Sequence, residues 1–302
     1  MDNKFKINQS VGIKGVNNPK DVKEIQLLLQ QNGYCNIGID GKVGNKTIQA
    51  IMDFQAKNNI NTSGLIVPNQ KILNETPPEP RYLPKQYNDS PIPVKSGQFT
   101  FDQEGIDRRT SVLFSRVIHQ PTIGSGVTIG RGHDMKYRTP CEIRKDLERA
   151  GIPSEQAKLI SKAALMSGIE AKIFVKNNKH KIGEISNLQQ TNLFNLIYPL
   201  YVKETKRFFL NKIRNLSLVK ATTNNLYNTT TNIDEKIWDL LDENIKIVLI
   251  DMKYQGVLSN FILKKFISSG KSKKILLEHT KNEYNSTKKI RWLTRSEFFK
   301  II

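Results

Sequence analysis

Apolar residues recur at helical spacing in the first part of the chain. Asn32-Gly33 ends the first of two predicted helices, a glycine-rich turn spans residues 40–44, and a second helix starts near Thr47. The apolar positions that these helices are expected to bury are Val22, Ile25, Leu28, Leu29, Ile48, Ile51 and Phe54. Two short helices around a tight turn predict a compact, all-helical module.

A proline-rich segment follows this module. Six of the twelve prolines lie between Pro77 and Pro93. Proline lacks a backbone donor and favours extended conformations, so a semi-rigid linker is predicted over residues 77–96. The linker divides a small module, residues 1–76, from a larger one, residues 97–302.

The larger module combines strand and helix signals. Two β-branched runs, residues 112–118 and 126–129, are separated by a Pro- and Gly-containing turn, which predicts a hairpin. Beyond Pro140 the pattern is helical. The predicted helices cover residues 142–150, 154–167 with Ser154 as its cap, 169–177, 188–209, 234–241 and 244–256. The whole chain is therefore predicted to be α+β.

The chain carries a strong positive charge. It has 47 Lys and Arg against 28 Asp and Glu, a net charge of +19, and residues 97–302 hold 35 of the basic and 20 of the acidic residues. Such a surface is either simply solvated or attracts a polyanion, namely nucleic acid, an anionic membrane or the bacterial cell wall. No zinc-finger, RNP or helix-turn-helix pattern supports nucleic acid. No segment reaches the roughly 18 apolar residues of a membrane span, so stable membrane insertion is not expected.

Cysteine and histidine spacing indicates no metal site. Cys35 and Cys141 fall in different predicted modules and suggest neither metal ligation nor a disulfide framework. The four histidines form no H-x-x-x-H pair, which argues against a zinc amidase or peptidase. We expect no metal and no cofactor.

Three residues suit the hydrolysis of a glycosidic bond. Glu104 follows the apolar Phe101, and a carboxyl group near an apolar wall can keep its proton, as a general acid must. Thr128 lies in a short β-type run flanked by glycines, where a strand fixes the direction of its hydroxyl. Asp134 follows just beyond and is the candidate general base. Thr128 is predicted to hold the attacking water.

The small module resembles the type 1 peptidoglycan-binding domain over residues 12–75. The matching positions are Gln26, Leu29, Gly33, Tyr34, Asp40-Gly41, Gly44, Thr47, Ala50, Phe54-Gln55, Gly64 and Leu73. The resemblance implies that the module targets peptidoglycan and performs no chemistry. Asp40 and Gln55 are expected to serve turn and cap roles, and Tyr34 and Asn36 are candidate groove residues.

The larger module resembles the pesticin-type lysozyme domain, a relative of phage lysozymes. The motifs that carry the resemblance are Phe101-Asp-Gln-Glu104-Gly, Ser115-Arg-Val-Ile-His119, Ser125-Gly-Val-Thr128-Ile-Gly-Arg-Gly-His-Asp134-Met, Glu142-Ile, Ala150-Gly151-Ile and, more thinly, Trp238 and residues 248–256. It implies a small sheet against a mainly helical lobe, with the catalytic order Glu, Thr, Asp found here. It also makes Arg116, Arg131 and His133 candidate substrate contacts, although His133 is more typical of a structural histidine. Gln120-Pro121 departs from the pattern where an aromatic is expected.

The hypothesis is a muramidase that cleaves the β-1,4 bond between N-acetylmuramic acid and N-acetylglucosamine. The family resemblance points to a water nucleophile activated by Asp134, which implies inversion with the carboxyl groups about 6.5–9.5 Å apart. One alternative is a lytic transglycosylase that uses Glu104 alone. Another is a catalytically inactive wall-binding protein.

The biological setting is also a matter of expectation. Residues 1–8 have no apolar core of a secretory signal, so the protein is expected to be made in the cytoplasm and delivered to the periplasm or cell wall. A phage endolysin released through a holin and a secreted antibacterial effector both fit. The expected partners are peptidoglycan and, for an effector, an immunity protein or secretion apparatus, with the chain itself a monomer.

Overall fold

The computed structural model describes residues 7–70, 90–224, 233–281 and 294–300. In chain order, the elements are β1 (Val11–Gly12), α1 (Pro19–Gln31), α2 (Asn45–Lys57), β2 (Leu65–Ile66), α3 (Gln98–Gln103), β3 (Thr128–Ile129), β4 (His133–Asp134), α4 (Pro140–Arg149), α5 (Ser154–Ser161), α6 (Gly168–Ile182), α7 (Asn187–Asn224), α8 (Ile233–Asp239), α9 (Glu243–Tyr254), α10 (Asn260–Ser268) and α11 (Lys273–Lys281). These ranges are mostly helical with two small antiparallel sheets, an α+β arrangement.

The chain divides into two compact units, which are described separately. Unit 1 comprises Met1–Ser90 and Ile106–Leu193, and unit 2 comprises Pro91–Gly105 and Phe194–Ile302. Residues 77–89 of the predicted linker lie outside the described residues. The predicted boundaries at residues 76 and 97 stay predictions.

In unit 1, the two predicted N-terminal helices are present as α1 and α2. Helix α1 starts at Pro19, which needs no backbone donor in the first turn, and the side chain of Asn18 accepts a hydrogen bond from the Lys20 amide. Both helices bury most of the apolar positions that their spacing predicts, around Leu29 and Phe54, whereas Leu28 and Ile48 are only partly buried. These two helices form the core of the N-terminal module.

The prediction that this module is all-helical is wrong. Strands β1 and β2 form a two-stranded antiparallel sheet in which Val11 pairs with Ile66. Both side chains are fully buried against the helices. A two-residue strand is too short to show an alternating pattern, which is why the sequence gives no signal for it.

Two buried glutamines hold the turns of this module in the same way. Oε1 of Gln26 accepts from the Gly41 amide at 2.8 Å, and its Nε2 donates to the Lys42 carbonyl at 3.0 Å. Oε1 of Gln55 accepts from the Gly64 amide at 2.9 Å, and its Nε2 donates to the Leu65 carbonyl at 2.8 Å. The expected turn and cap roles of Gln55 and Asp40, the latter accepting from Gln26 at 2.9 Å, therefore agree with the structure.

The predicted hairpin between residues 112–118 and 126–129 is present only as one antiparallel bridge, between Thr128 and His119, because the strand over residues 112–118 does not form. Residues 111–117 form consecutive turns, in which the Ser111 hydroxyl accepts from the Leu113 amide and the Ser111 carbonyl accepts from the Phe114 amide. Local serine hydrogen bonds compete with strand pairing and override the β-branched residues, of which Val112 is exposed. The hairpin forms one step later, between β3 and β4.

Helices α4, α5 and α6 follow the hairpin in unit 1. Thr139 and Glu142 form a reciprocal capping box at the start of α4, which explains its sharp beginning. Ser154 is the first residue of α5 and does not cap it; Pro153 precedes it, and the helix ends at Ser161, short of the predicted residue 167.

Cys35 and Cys141 form a disulfide, contrary to the expectation from their separation in the sequence. Helix α1 packs against α4 in unit 1, and this packing brings the two cysteines together. A contact between residues 106 positions apart leaves no local pattern in the sequence.

Unit 2 contains α3, the part of α7 from Phe194 onward, and the described helices that follow it. Its core is apolar and includes Phe194, Phe209, Leu249, Leu263 and Phe266. The buried Asp251 of α9 pairs with the buried Arg295, which ties residues 294–300 to that helix. Among the described helices, none combines the length and apolar character that crossing a bilayer requires.

Candidate active site

The predicted catalytic residues Thr128 and Asp134 lie directly opposite each other in the β3–β4 hairpin. On the opposite edge of β3, the Thr128 amide donates to the His119 carbonyl at 2.8 Å, and the Thr128 carbonyl accepts from the His119 amide at 2.9 Å. Opposite residues of an antiparallel pair project side chains to the same face, with Cβ atoms about 4.5–5.5 Å apart. The hydroxyl and the carboxylate therefore share one face.

The tight turn between the strands depends on two glycines. Gly130 and Gly132 have φ angles of +64° and +91°, and they flank Arg131 in the three-residue connection. Residues with a Cβ atom rarely adopt these backbone angles, so the two glycines permit the turn that places Thr128 across from Asp134.

The hydroxyl of Thr128 is buried and has no hydrogen-bond partner within the described part of the chain. The whole residue is only 3% exposed. A buried polar atom without a partner is costly and calls for an explanation, such as a bound water or substrate group. Among the residues of β3 and β4, Nδ1 of His133 is the other buried atom of this kind, but Thr128 is the one that lies opposite Asp134.

The carboxylate of Asp134 is held by two backbone amides. Oδ1 accepts from Lys136 at 2.8 Å and Oδ2 accepts from Gly126 at 3.3 Å. A carboxylate has about four acceptor positions, so each oxygen keeps one for another donor. Asp134 is half-buried, which leaves it a path to solvent.

Gly126 makes room for that carboxylate. A Cβ atom at Gly126 would lie 2.4 Å from Oδ1 of Asp134 and 2.6 Å from the Lys136 amide nitrogen. Since no real Cβ approaches this closely, any larger residue would displace the carboxylate. The glycine that precedes Val127 is thus tied to the position of Asp134.

Glu104 belongs to unit 2, where it follows the last residue of helix α3. The helix is anchored by the buried Phe101, whose ring meets that of Phe194 edge-on at 5.1 Å. Oε1 of Glu104 is buried. The distance between the carboxyl groups of Glu104 and Asp134 stays a prediction.

Arg116 and Arg131 are buried in ion pairs of unit 1. Arg116 is 2% exposed, pairs with Glu184 at 3.1 Å and lies over the Phe114 ring. Arg131 pairs with Asp107. Both guanidinium groups brace the segment that carries the hairpin, and their predicted contacts with substrate remain untested.

His133, which precedes Asp134 in the sequence, is completely buried. Its Nε2 lies 3.2 Å from Oδ2 of Asp146 in α4, and Arg138 reaches the same oxygen at 3.4 Å. Burial holds the pKa of His133 below its ordinary value. These contacts agree with a structural histidine that fastens β4 to α4.

Tyr34 and Asn36 flank the disulfide in the N-terminal module. Tyr34 is half-buried with its ring edge-on to Phe54, and burial, followed by the charge of Asp53, raises its pKa. Asn36 is exposed. Nothing in their geometry defines a groove, so their binding role stays a prediction.

Lys136 and Tyr137 were missed in the sequence. Tyr137 is 83% exposed, and the Lys136 ammonium lies 5.1 Å from its ring centre, close to Asp134 in the chain. An aromatic residue after the Asp134-Met-Lys136 run was the available signal. Among the described residues, no group of three His, Cys, Asp or Glu side chains is placed to hold a metal ion.

Comparison with known families divides the chain in two. Residues 18–66 match a family described as a putative peptidoglycan binding domain, which supports an N-terminal peptidoglycan-binding domain. Residues 97–283 match a family described as a domain of unknown function (DUF8812), and the chain belongs to that family. This match contains Glu104, Thr128 and Asp134. No curated protein matches the chain.

Proposed function

We propose that the protein is a peptidoglycan hydrolase, a muramidase that cleaves the β-1,4 bond between N-acetylmuramic acid and N-acetylglucosamine. The observation that carries the proposal is the pairing of Thr128 with Asp134, with a buried hydroxyl that has no partner in the described residues. The peptidoglycan-binding domain on the same chain supports peptidoglycan as the polymer that is cleaved.

Asp134 is the general base of this mechanism. Its two backbone hydrogen bonds fix the carboxylate and leave an acceptor position on each oxygen for a water. The water donates to Asp134 and to the Thr128 oxygen on the same face. Thr128 is expected to hold the water in one orientation before the reaction. This lowers the entropic cost of reaching the transition state.

Glu104 is the general acid. Its Oε1 is buried, three residues beyond the buried Phe101, and in this role its protonated carboxyl group donates a proton to the leaving oxygen.

Digestion of purified sacculi with mass spectrometry of the products tests the proposal. Wild type should release disaccharide-peptides with reducing ends, and Glu104→Gln and Asp134→Asn should each lose this activity by at least about a hundredfold. Asp102→Asn is the matched control, because Asp102 is an exposed neighbour on α3 whose partner is Gln98.

Two outcomes would contradict the muramidase. Anhydro-muropeptides that persist in Asp134→Asn would assign the protein to the lytic transglycosylases. Binding of sacculi without release of any product by wild type would leave a wall-binding protein with no hydrolytic activity.

A further inference from the structure

An exposed ridge lies beside the Asp134 carboxylate, and the proposed mechanism does not use it. Tyr137 is its most exposed residue, at 83%, and the Lys136 ammonium lies 5.1 Å from the centre of the Tyr137 ring. The same ammonium donates to the Gly124 carbonyl at 2.9 Å. Next to Gly124, Ile123 is 66% exposed. We call Ile123–Gly124 together with Lys136–Tyr137 the Tyr137 ridge.

Hydrogen bonds hold the turn that carries Ile123 and Gly124 of the ridge. Nε2 of Gln120 donates to the Ser125 carbonyl at 3.0 Å and to the Gly168 carbonyl at 2.9 Å, and the hydroxyls of Thr122 and Ser125 are 2.8 Å apart. These bonds tie the turn to the start of α6. A surface that is already ordered loses little entropy when a ligand binds.

The ridge and the candidate base share their backbone. The amide of Lys136 donates to Oδ1 of Asp134, and Gly126, two residues after Gly124, donates to Oδ2. A ligand on the ridge is therefore next to the carboxylate. Exposed apolar side chains that occur singly need no explanation, but two that flank one lysine beside a candidate base form a surface with a defined chemistry.

We propose that the Tyr137 ridge is a glycan subsite that takes a pyranose ring carrying an acidic substituent. The axial C–H face of a pyranose is apolar and packs on the exposed Tyr137 ring, with Ile123 extending the apolar surface. An ammonium has three donors, so Lys136 keeps donors for a carboxylate beyond its bond to Gly124. In peptidoglycan, the acidic substituent is the lactyl-peptide arm of muramic acid. The inference rests on the proposed function and specifies its substrate contacts.

Titration of the full-length chain with two soluble ligands tests the subsite. The ligands are the neutral tetrasaccharide of N-acetylglucosamine and a tetrasaccharide-peptide that contains muramic acid, and they are titrated into a Glu104→Gln background to prevent turnover. Tyr137→Ala should weaken both ligands about tenfold, whereas Tyr137→Phe, which keeps the ring, should stay within about twofold of its parent. Lys136→Met should weaken only the acidic ligand.

Leu188→Ala is the control variant, because Leu188 is 55% exposed in the same unit and lies outside the ridge. It should bind both ligands as the parent does. Unchanged affinity in Tyr137→Ala, equal losses in Tyr137→Phe and Tyr137→Ala, or no binding of either ligand by the parent would overturn the subsite.

The subsite and the muramidase can fail independently. If Tyr137→Ala weakens binding while Glu104→Gln and Asp134→Asn digest sacculi at the wild-type rate, the ridge binds glycan and the proposed catalytic roles are wrong. If the two carboxyl variants are inactive while Tyr137→Ala binds normally, the muramidase stands and the subsite is wrong.

Discussion

Cys35 and Cys141 are joined by a disulfide that spans 106 residues of sequence. Cys35 lies four residues beyond α1, within the matched peptidoglycan-binding domain, and Cys141 is the second residue of α4, within the match to the family of unknown function. The disulfide therefore joins covalently two regions that match two separate families. Helix α1 packs on α4 beside it.

Removing the disulfide should destabilise unit 1. A cross-link across about 100 residues restricts the unfolded chain, and its loss costs up to about 4–5 kcal/mol of unfolding free energy. Urea unfolding of Cys35→Ser/Cys141→Ser should show a lower midpoint than that of the oxidised wild type. Reductant should lower the wild-type midpoint and leave the variant unchanged, and identical midpoints in all four samples would refute the stabilisation.

Gly126→Ala should disturb the candidate base without unfolding the chain. The added Cβ would meet Oδ1 of Asp134 at 2.4 Å, so the carboxylate must move, at a cost of about 1–3 kcal/mol. On the proposed mechanism, release of products from sacculi should fall by at least about tenfold. Gly38→Ala is the control, because a Cβ there meets no atom within 4 Å, and full activity of Gly126→Ala would show that the position of Asp134 is immaterial.

Acidification should destabilise the fold through His133. Burial depresses the pKa of this histidine in the folded state, so its contribution is complete above the unfolded pKa of about 6.5 and is lost as pH falls toward the depressed value. His119 is shifted in the same direction by burial and adds to the effect. Chemical unfolding between about pH 7 and pH 5 should show a falling free energy of unfolding.

His133→Gln isolates that contribution. The glutamine does not titrate, so the loss of stability over the same pH interval should be smaller than in wild type, with His119 responsible for the remainder. Parallel pH profiles for the two proteins would show that His133 has no part in the acid sensitivity.

The two turn-holding glutamines should be important for the stability of the N-terminal domain. Gln26→Leu and Gln55→Leu each leave a glycine amide and a carbonyl without their partner, which should cost at least about 2 kcal/mol of unfolding free energy. Gln49→Leu, at an exposed position of α2, should change it by less than about 0.5 kcal/mol. Comparable losses in all three variants would contradict the argument.

The features that could be predicted from the sequence are those with a local signal. Helix spacing around Leu29 and Phe54 predicts α1 and α2, and the β-type run around Thr128 predicts the strand β3, whereas its pairing with the strand that carries Asp134 was not predicted. The features that were missed depend on distant residues. The disulfide of Cys35 and Cys141 requires the packing of α1 on α4, which no local pattern encodes.

Burial was also beyond the reach of the sequence. Arg116 and Arg131 have the residue type of a glycan contact, and only the folded chain shows that Glu184 and Asp107 pair with them. Tyr137 is the opposite case, because it is exposed although an aromatic side chain is usually buried. Its exposure follows from the turn after β4 rather than from its neighbours in the sequence.

The anomeric configuration of the first product tests the central claim most directly. If Asp134 and Thr128 direct a water at the anomeric carbon, cleavage of the β-1,4 bond inverts the configuration. Proton NMR during digestion of a soluble muramic acid oligosaccharide should then show the α-anomer of the new reducing end first, with the β-anomer appearing by mutarotation. Initial appearance of the β-anomer, or of a product with no reducing end, would contradict the mechanism.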